Sequence, residues 1–520
     1  MAGKERYDSL STERSQFLDT AVEAARLTLP YLIHQDEYQT GMRTLKTPWQ
    51  STGAKCAVTL ASKLMLALLP VQTSFFKLQI DDSKLDSQFD PKVRSELDLS
   101  FSKIERMMMD SIAASDDRVV VHQALKHLVV TGNALIYMGK EGLKMYPLNR
   151  YVVERDGNGN VLEIVTKERI SRKLVEKILP AKLPNEPGKS DSKQEEVDVY
   201  TCIKRDNNRY IWYQEVEGVV VPGSQGKSPL DTNPWLVLRF NTVDGEMYGR
   251  GRVEEFMGDL KSLEGLTQAL VEGSAAAAKV VFTVSPSSTT KPDTLARAGS
   301  GAIIQGRPDD IGVVQVGKTA DFATALQMIS GLEKRLSDAF LILNVRDSER
   351  TTAEEVRMSQ LELEQQLGGL FSLLTVEFLV PYLNRKLSTA QKSGEIPKLP
   401  NVVKPTIVAG INALGRGSDR DALTQFMTII AQTMGPEAIA QYIKPTEVIK
   451  RMAASQGIDV LNLVKTEEEL QGEQQQSQQQ AQQMELTKQA SQIAAVGQKQ
   501  QEIDNGNQQG NAPPQGSPQA

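Results

Sequence analysis

Residues 244–282 read DGEMYGRGRVEEFMGDLKSLEGLTQALVEGSAAAAKVVF. A glycine-bearing turn runs straight into a helix. Its Val253, Phe256, Met257, Leu260, Leu263, Leu266, Leu270 and Val271 recur at i, i+3, i+4, i+7 spacing. One face is therefore apolar, and no side chain on it is of a catalytic type. The helix then fades into small residues, Ser274 to Ala278, which admit a close neighbour. Over 252–282, within a stem segment of 251–283, it would be roughly 45 Å long at the standard rise, with Pro286 and Pro292 ending it. A second amphipathic helix over 320–343 sets Phe322, Leu326, Ile329, Leu332, Leu336, Ala339, Phe340 and Leu343 on one stripe. Between the two, 284–319 holds the apolar runs Ala302 to Ile304 and Val313-Val314, which read as short strands. If antiparallel, the helices make a hairpin with a small knob at its tip. The same pattern fits an ordinary helical hairpin inside a globular core, and the residues alone leave both readings open.

Upstream, residues 1–130 read mostly helical. Ala54 to Leu69 puts Ala57, Leu60, Ala61, Leu64 and Leu68 on one side, and Pro70 stops it. Asp90-Pro91 opens another helix that would bury Leu97, Phe101, Ile104 and Met108. Residues 134–241 read as strands. Asp156-Gly157-Asn158-Gly159 between two β-branched runs is a hairpin signal, and a second hairpin over 199–217 turns near Asp206-Asn207-Asn208. The charged, proline-bearing stretch 180–196 reads as a surface loop.

Downstream, 344–350 reads NVRDSER, polar and without an apolar anchor. Thr352-Ala353-Glu354-Glu355 then matches a capping box, with Thr352 as N-cap and Glu355 at N3. That helix runs to residue 391, interrupted by Gly368-Gly369 and Pro381. The glycine pair costs about 2 kcal/mol of helix propensity, so a kink is predicted there. Gly394 and a series of prolines break 392–466 into short pieces, with a helix predicted over 420–434. From Thr466 the composition changes: eighteen of the last fifty residues are Gln, which leaves too little apolar surface for a core. Residues 467–502 can form a helix, whereas 503–520 read as a disordered tail.

The chain's 520 residues allow two to four domains. Its two cysteines, Cys56 and Cys202, make no disulfide framework, which fits a reducing cytoplasm as the place of synthesis. The first twenty residues are polar and charged, unlike a signal peptide, and the best apolar run, residues 64–71, is too short to span a bilayer. A net charge of −6 argues against tight, salt-sensitive DNA binding. It suits a wall past which DNA slides without sticking.

Catalytic signals fail on inspection. Gly226-Lys227-Ser228 resembles the end of a phosphate-binding loop, but Val221 stands where the first glycine belongs and Pro229 follows at once. It reads as an exposed turn. His122 and His127 lie five apart, so they do not share a helix face as zinc-ligating histidines four apart would. Gly249-Arg250-Gly251-Arg252 lacks the third glycine of a dinucleotide loop and reads as a helix-start turn. No enzyme, metal or cofactor is expected.

Four segments, in order along the chain, carry a resemblance. They are 47–73, TPWQSTGAKCAVTLASKLMLALLPVQT; the opening stretch 244–282; 350–369, RTTAEEVRMSQLELEQQLGG; and 404–423, KPTIVAGINALGRGSDRDAL. Together they resemble the head-to-tail connector, or portal, proteins of short-tailed autographivirus-like phages. The similarity spans residues 40–425.

The resemblance implies an α+β, mainly helical portal fold. Residues 1–250 would be an α/β wing, 251–283 the first stem helix, 284–319 a small α/β clip and 320–343 the second stem helix. Residues 344–351 would be the tunnel loop, 352–391 a kinked wing helix, 392–466 a helical crown and 467–502 a candidate barrel helix. By carry-over, Arg346, Asp347, Ser348, Glu349 and Arg350 would face DNA; two positive and two negative charges there suit contact without capture. The chain would form a ring, by resemblance a dodecamer, at one capsid vertex of the virion. Its implied partners are the passing double-stranded DNA, capsid and scaffold proteins, the terminase, the tail adaptor and tail tube, and internal core proteins, with no membrane. ATP hydrolysis would belong to the terminase. The alternative is another virion structural protein, a scaffold or internal core component. A scaffold would be more uniformly helical and would lack the strands of 134–241.

Overall fold

The computed structural model describes residues 2–33, 45–70, 74–80, 91–177, 196–277, 281–299, 301–305, 307, 309, 311–314, 319–342, 367–397, 403–407, 424, 426–433 and 448. The chain divides into two units, Met1–Leu414 and Gly415–Ala520. In the second unit, 426–433 are helical, inside the helix predicted over 420–434, with Phe426 and Ile429 exposed.

The first unit mixes helix and strand. It opens with four helices, α1 (Gly3–Leu27), α2 (Thr52–Leu68), α3 (Pro91–Ala114) and α4 (Asp117–Thr131). The predicted stripe of α2 is its core face: Ala57, Leu60, Ala61, Leu64 and Leu68 are all buried. Each such leucine contributes about 2 kcal/mol of burial. Phe101, Ile104 and Met108 of α3 join the same cluster. One strand escaped the sequence reading. Residues Phe76–Ile80 (β1) pair antiparallel with Val403–Ile407, in register from Phe76↔Ile407 to Ile80↔Val403. No local pattern announces a partner so far along the chain. The segment 403–407, expected in a separate crown starting at 392, thus belongs to the first unit.

Two sheets follow. β2 (Asn133–Met138), β3 (Leu143–Tyr146) and β10 (Trp235–Arg239) form a three-stranded sheet in the order β10-β2-β3. The larger sheet runs β4 (Tyr151–Arg155), β5 (Val161–Ser171), β6 (Glu196–Asp206), β7 (Arg209–Val216) and β8 (Val219–Val220), with β9 (Gly226–Pro229) also on β7. Both predicted hairpins are present. The β4–β5 turn is locked by Asp156, whose Oδ1 accepts from the Asn158 and Asn160 N–H groups at 3.0 and 2.8 Å. The β6–β7 turn uses Asn207 at φ 51°, a conformation asparagine tolerates. Arg14 of α1 ties the layers together. Buried, it donates to the Leu148 and Tyr151 carbonyls at 3.2 and 3.0 Å and to the Tyr7 hydroxyl at 2.8 Å.

Further along the chain comes a long helix, α10 (Leu367–Ser393). Gly368-Gly369, where a kink was expected, lie in the first described turn of this helix and are helical themselves. The irregularity is a π-turn at Thr375–Leu379, with the Val380 N–H bonded to the Thr375 carbonyl. Pro381 explains it: proline lacks an N–H and crowds the carbonyl four residues back, and one wider turn relieves both. The π-turn aims Glu377 inward. Its carboxylate accepts from the Arg239 backbone N–H at 2.9 Å and from Arg239 Nη2 at 2.6 Å, with Arg155 Nη1 at 3.7 Å. One carboxylate thus joins α10 to β10 and β4. Burial pushes the Arg155 guanidinium down to about 10 despite Glu377 beside it. One turn on, Tyr382 and Lys386 both reach the buried Asp117 of α4, at 2.6 and 2.5 Å.

Candidate assembly interface and channel segment

The turn that reads GRGR starts the hairpin. Buried Asn133, the first residue of β2, donates to the Gly249 carbonyl at 2.6 Å and accepts from its N–H at 2.8 Å. Arg250 is clamped by Glu246 and Glu254, each at 2.5 Å, and the hydrogen bond it donates to Glu246 leads in holding its guanidinium charged. Helix-start geometry, not a nucleotide loop, is what these residues make.

Two helices leave this turn, a short α6 (Arg252–Glu255) and then α7 (Met257–Ala277). The first stem helix was expected to reach 283. It stops earlier, and Val281–Val284 is a strand, β11, as suits a β-branched run. β11 pairs antiparallel with β12 (Ile311–Val314), from Val281↔Val314 to Val284↔Ile311. A one-and-a-half-turn helix, α8 (Pro292–Arg297), lies between them. The predicted strand at Val313-Val314 is there; residues 302–304 form none. In the larger sheet's margin, α5 (Arg172–Glu176) completes the helices that precede the hairpin.

The return helix is α9 (Thr319–Ala339). It packs on α7 in antiparallel register. The Phe256 and Phe340 rings are 5.6 Å apart, Arg335 Nη2 is 3.3 Å from Asp259 Oδ1, and Gly273 meets Phe322. A Cβ at 273 would lie 2.9 Å from the Phe322 ring, so a larger residue there has to push that ring aside.

The two apolar stripes are buried unevenly. At the root, Val253, Leu260, Leu263, Leu332, Leu336 and Phe340 are buried in the main core. Further out, Val271 of α7 is 46% exposed, and Leu326 and Met328 of α9 are 58% and 55% exposed. At the tip, Ile303 is fully exposed. A lone helical hairpin has no means of covering its outer half, so the pattern calls for a partner surface.

The root of α9 is fastened where the chain turns toward 344. Lys63 Nζ donates to the Leu341 carbonyl, Arg252 Nη2 to the Ala339 carbonyl at 3.2 Å, and Leu341 adopts φ 58°. Cations at carbonyls of a helix C-terminus satisfy its orphan acceptors and its dipole. The five residues expected to face DNA, Arg346, Asp347, Ser348, Glu349 and Arg350, and the capping box at Thr352 and Glu355, lie outside the described residues.

The remaining sequence candidates take ordinary places. Gly226-Lys227-Ser228 is strand β9, not an exposed turn. Gly226 lies under the Trp212 ring, where a Cβ would come within 2.3 Å, and Ser228 Oγ donates to the Thr232 carbonyl at 2.7 Å. His122 sits beside Ser62 Oγ at 3.2 Å, while His127 is buried in α4. Among the described residues, no group of three or more His, Cys, Asp or Glu is arranged to hold a metal ion. The apolar helix α10 is long enough to cross a membrane by composition, yet its buried Leu367, Leu370, Leu374, Phe378, Leu379 and Leu383 pack in the core.

A mixed α+β body carrying an antiparallel helix pair with bare outer stripes is built as the subunit of an assembly. The chain belongs to the family of bacteriophage head to tail connecting proteins, which matches residues 2–462. It is 38% identical over 480 residues to the portal protein of Escherichia phage T7, covering 90% of this chain and 89% of that protein. The portal protein of Enterobacteria phage T3 is 38% identical over 479 residues, with the same coverage. The portal protein of Enterobacteria phage SP6 is 30% identical over 478 residues, covering 90% of this chain and 91% of that protein. The family is one of structural proteins.

Proposed function

We propose that this chain is the subunit of a ring that sits at one capsid vertex, joins head to tail, and passes DNA during packaging and ejection. The observation that carries the proposal is the α7–α9 hairpin, core-packed at its root and apolar but bare further out. Covering those stripes with the next copy stabilises a ring, since a heterologous contact that closes on itself leaves no free end. By likeness to its relatives the ring is a dodecamer. The body of 1–250 is then the wing and α7 with α9 the stem. β11, α8 and β12 are the clip, and the second unit with 467–502 forms crown and barrel. Terminase, tail adaptor and tail tube, capsid and scaffold proteins, and internal core proteins are its partners.

In this reading Arg346, Asp347, Ser348, Glu349 and Arg350 form the loop that lines the channel. Its support is that 344–350 is polar and lacks apolar anchors, while the helix it leaves is fastened by Lys63 and Arg252. The test is the double variant Arg346→Ala, Arg350→Ala, compared with Thr352→Ala as a control. The double variant should assemble like wild type and change the amount of DNA packaged or retained. The control should lower stability by about 1 kcal/mol through the lost cap. If the double variant fails to form rings, or packages and retains DNA as wild type does, the loop does not line the channel.

A further inference from the structure

The two sheets of the body meet along free strand edges. β4 ends one sheet and β10 ends the other. In β10 the Pro234 carbonyl and the Phe240 N–H bond to Met138 and Gly132 on the β2 side. Val237 and Arg239, at the alternate positions, therefore turn their backbone groups to the free edge. Side chains bridge the seam where backbone does not. Arg155 of β4 donates through Nη2 to the Val237 carbonyl at 3.1 Å. Glu377 accepts from the Arg239 N–H at 2.9 Å. Tyr248, in the turn that leads into the stem, accepts through its hydroxyl from the Val153 N–H of β4 at 3.0 Å.

Those bridges leave donors over. Among the described residues, Tyr151 Oη and Arg155 Nε are buried and have no hydrogen-bond partner. Tyr151 is 0% and Arg155 8% exposed. Both stand on the face of β4 that carries Val153. Tyr151 packs there with Trp235 and Val237 of β10 and with Tyr248, so its ring lies in the seam. Burial raises the Tyr151 hydroxyl far above its ordinary range, so it keeps its proton, and Arg155 acts against that shift, which sets its charge nearby. The indole N–H of Trp235, in the same cluster, also lacks an acceptor. All three groups donate. Charge is uneven as well, because Arg155 and Arg239 share the one carboxylate of Glu377. A buried donor left unmet carries its full desolvation cost, and folded proteins meet such groups with protein or with ordered solvent. What the seam calls for is an acceptor.

We propose that the seam between β4 and β10 holds a buried single-atom acceptor, a water oxygen or a halide ion, bound by Tyr151 Oη and Arg155 Nε. It completes the bridges between the sheets beside Tyr248, the residue that fastens the turn leading into the stem. The sign of one substitution tests it. If the Tyr151 hydroxyl has no acceptor, removing it relieves a desolvation cost, and Tyr151→Phe leaves stability unchanged or raised. If an acceptor is bound, Tyr151→Phe lowers the folding equilibrium constant about tenfold. Tyr210→Phe is the reference, since its hydroxyl donates to the Val161 carbonyl at 2.7 Å; the two losses should be alike in denaturant titrations of the full chain. Titrations at fixed ionic strength with chloride or gluconate separate the two sources. A halide makes wild-type stability rise with chloride and Tyr151→Phe indifferent to it, whereas a water leaves both proteins indifferent. An electron-microscopy map that resolves buried solvent should show a peak within about 3.2 Å of both Tyr151 Oη and Arg155 Nε. Unchanged or raised stability in Tyr151→Phe, or such a map without that peak, would overturn the site.

Discussion

Glu377 shows what a single residue can hide. In the sequence it is one more glutamate on an apolar helix. Its partners, Arg239 and Arg155, lie far back in the chain on two different sheets, and only the π-turn before Pro381 aims it at them. Burying two guanidiniums on one carboxylate is stable only while all members stay paired. Glu377→Gln should therefore cost about 3 kcal/mol, because Arg239 and Arg155 lose their buried counter-charge. Denaturant titration of the two proteins checks this, and a loss indistinguishable from a surface substitution would show the cluster to be solvated. His127 makes a second prediction at this scale. Burial, helped by Lys126, pushes its imidazole down from 6.5 to about 4. Above 6.5 the ring is neutral in both folded and unfolded chains, and its contribution is fully present. As pH falls from 6.5 toward 4 only the unfolded chain takes the proton, so stability is lost, by about 3 kcal/mol in all. Melting temperature should fall between pH 7 and pH 4.5, and His127→Gln should flatten part of that fall.

At the scale of elements, periodicity was a good guide wherever one face meets the core. The stripes of α2 and α9, the two hairpins of the larger sheet, and the helix start at Gly249 to Arg252 all follow from local pattern. What failed locally has a physical cause in each case. α7 ends at Ala277 because the β-branched run after it finds a strand partner in Ile311–Val314. Strand β1 needed its partner from 403–407, which no window could contain. Gly368-Gly369 stays helical because Leu367, Leu370 and Phe371 around it are buried, and tertiary packing outweighs glycine's propensity. Val58, Leu66 and Val119 are apolar in sequence like their core neighbours, and only the structure shows that they point out. The hairpin itself predicts that Gly273→Leu pries α7 from α9 at the level of Phe322. Overpacking of this kind costs about 1–3 kcal/mol. The root contacts at Phe256–Phe340 and Asp259–Arg335 are far from the change, so the body should fold and the defect should appear as fewer or less heat-stable rings.

For the whole molecule, the question is which parts a ring needs. The family match ends at residue 462, and the connecting body, from α1 to the strand Val403–Ile407, falls inside it. Beyond it the chain turns to glutamine. Over 471–520 the apolar side chains larger than alanine are Met484, Leu486, Ile493, Val496 and Ile503, too few and too scattered to cover one another. Ordering a residue costs about 1–2 kcal/mol of backbone entropy, and burying one such side chain returns only about 2–3 kcal/mol. Fifty residues with five such side chains cannot order themselves in a core of their own. The bare stripes of the stem, by contrast, lie in α7 and α9 of the first unit. Assembly should therefore be driven by the body alone. A chain ending at Leu470 should form rings of the same shape and subunit number as the full chain, seen by electron microscopy and by light scattering. Any deficit should appear later, in contacts made inside the head and in the yield of filled particles. If the truncated chain stays monomeric at concentrations where the full chain forms rings, the glutamine-rich tail contributes to the subunit interface and the stem hairpin does not suffice to build it.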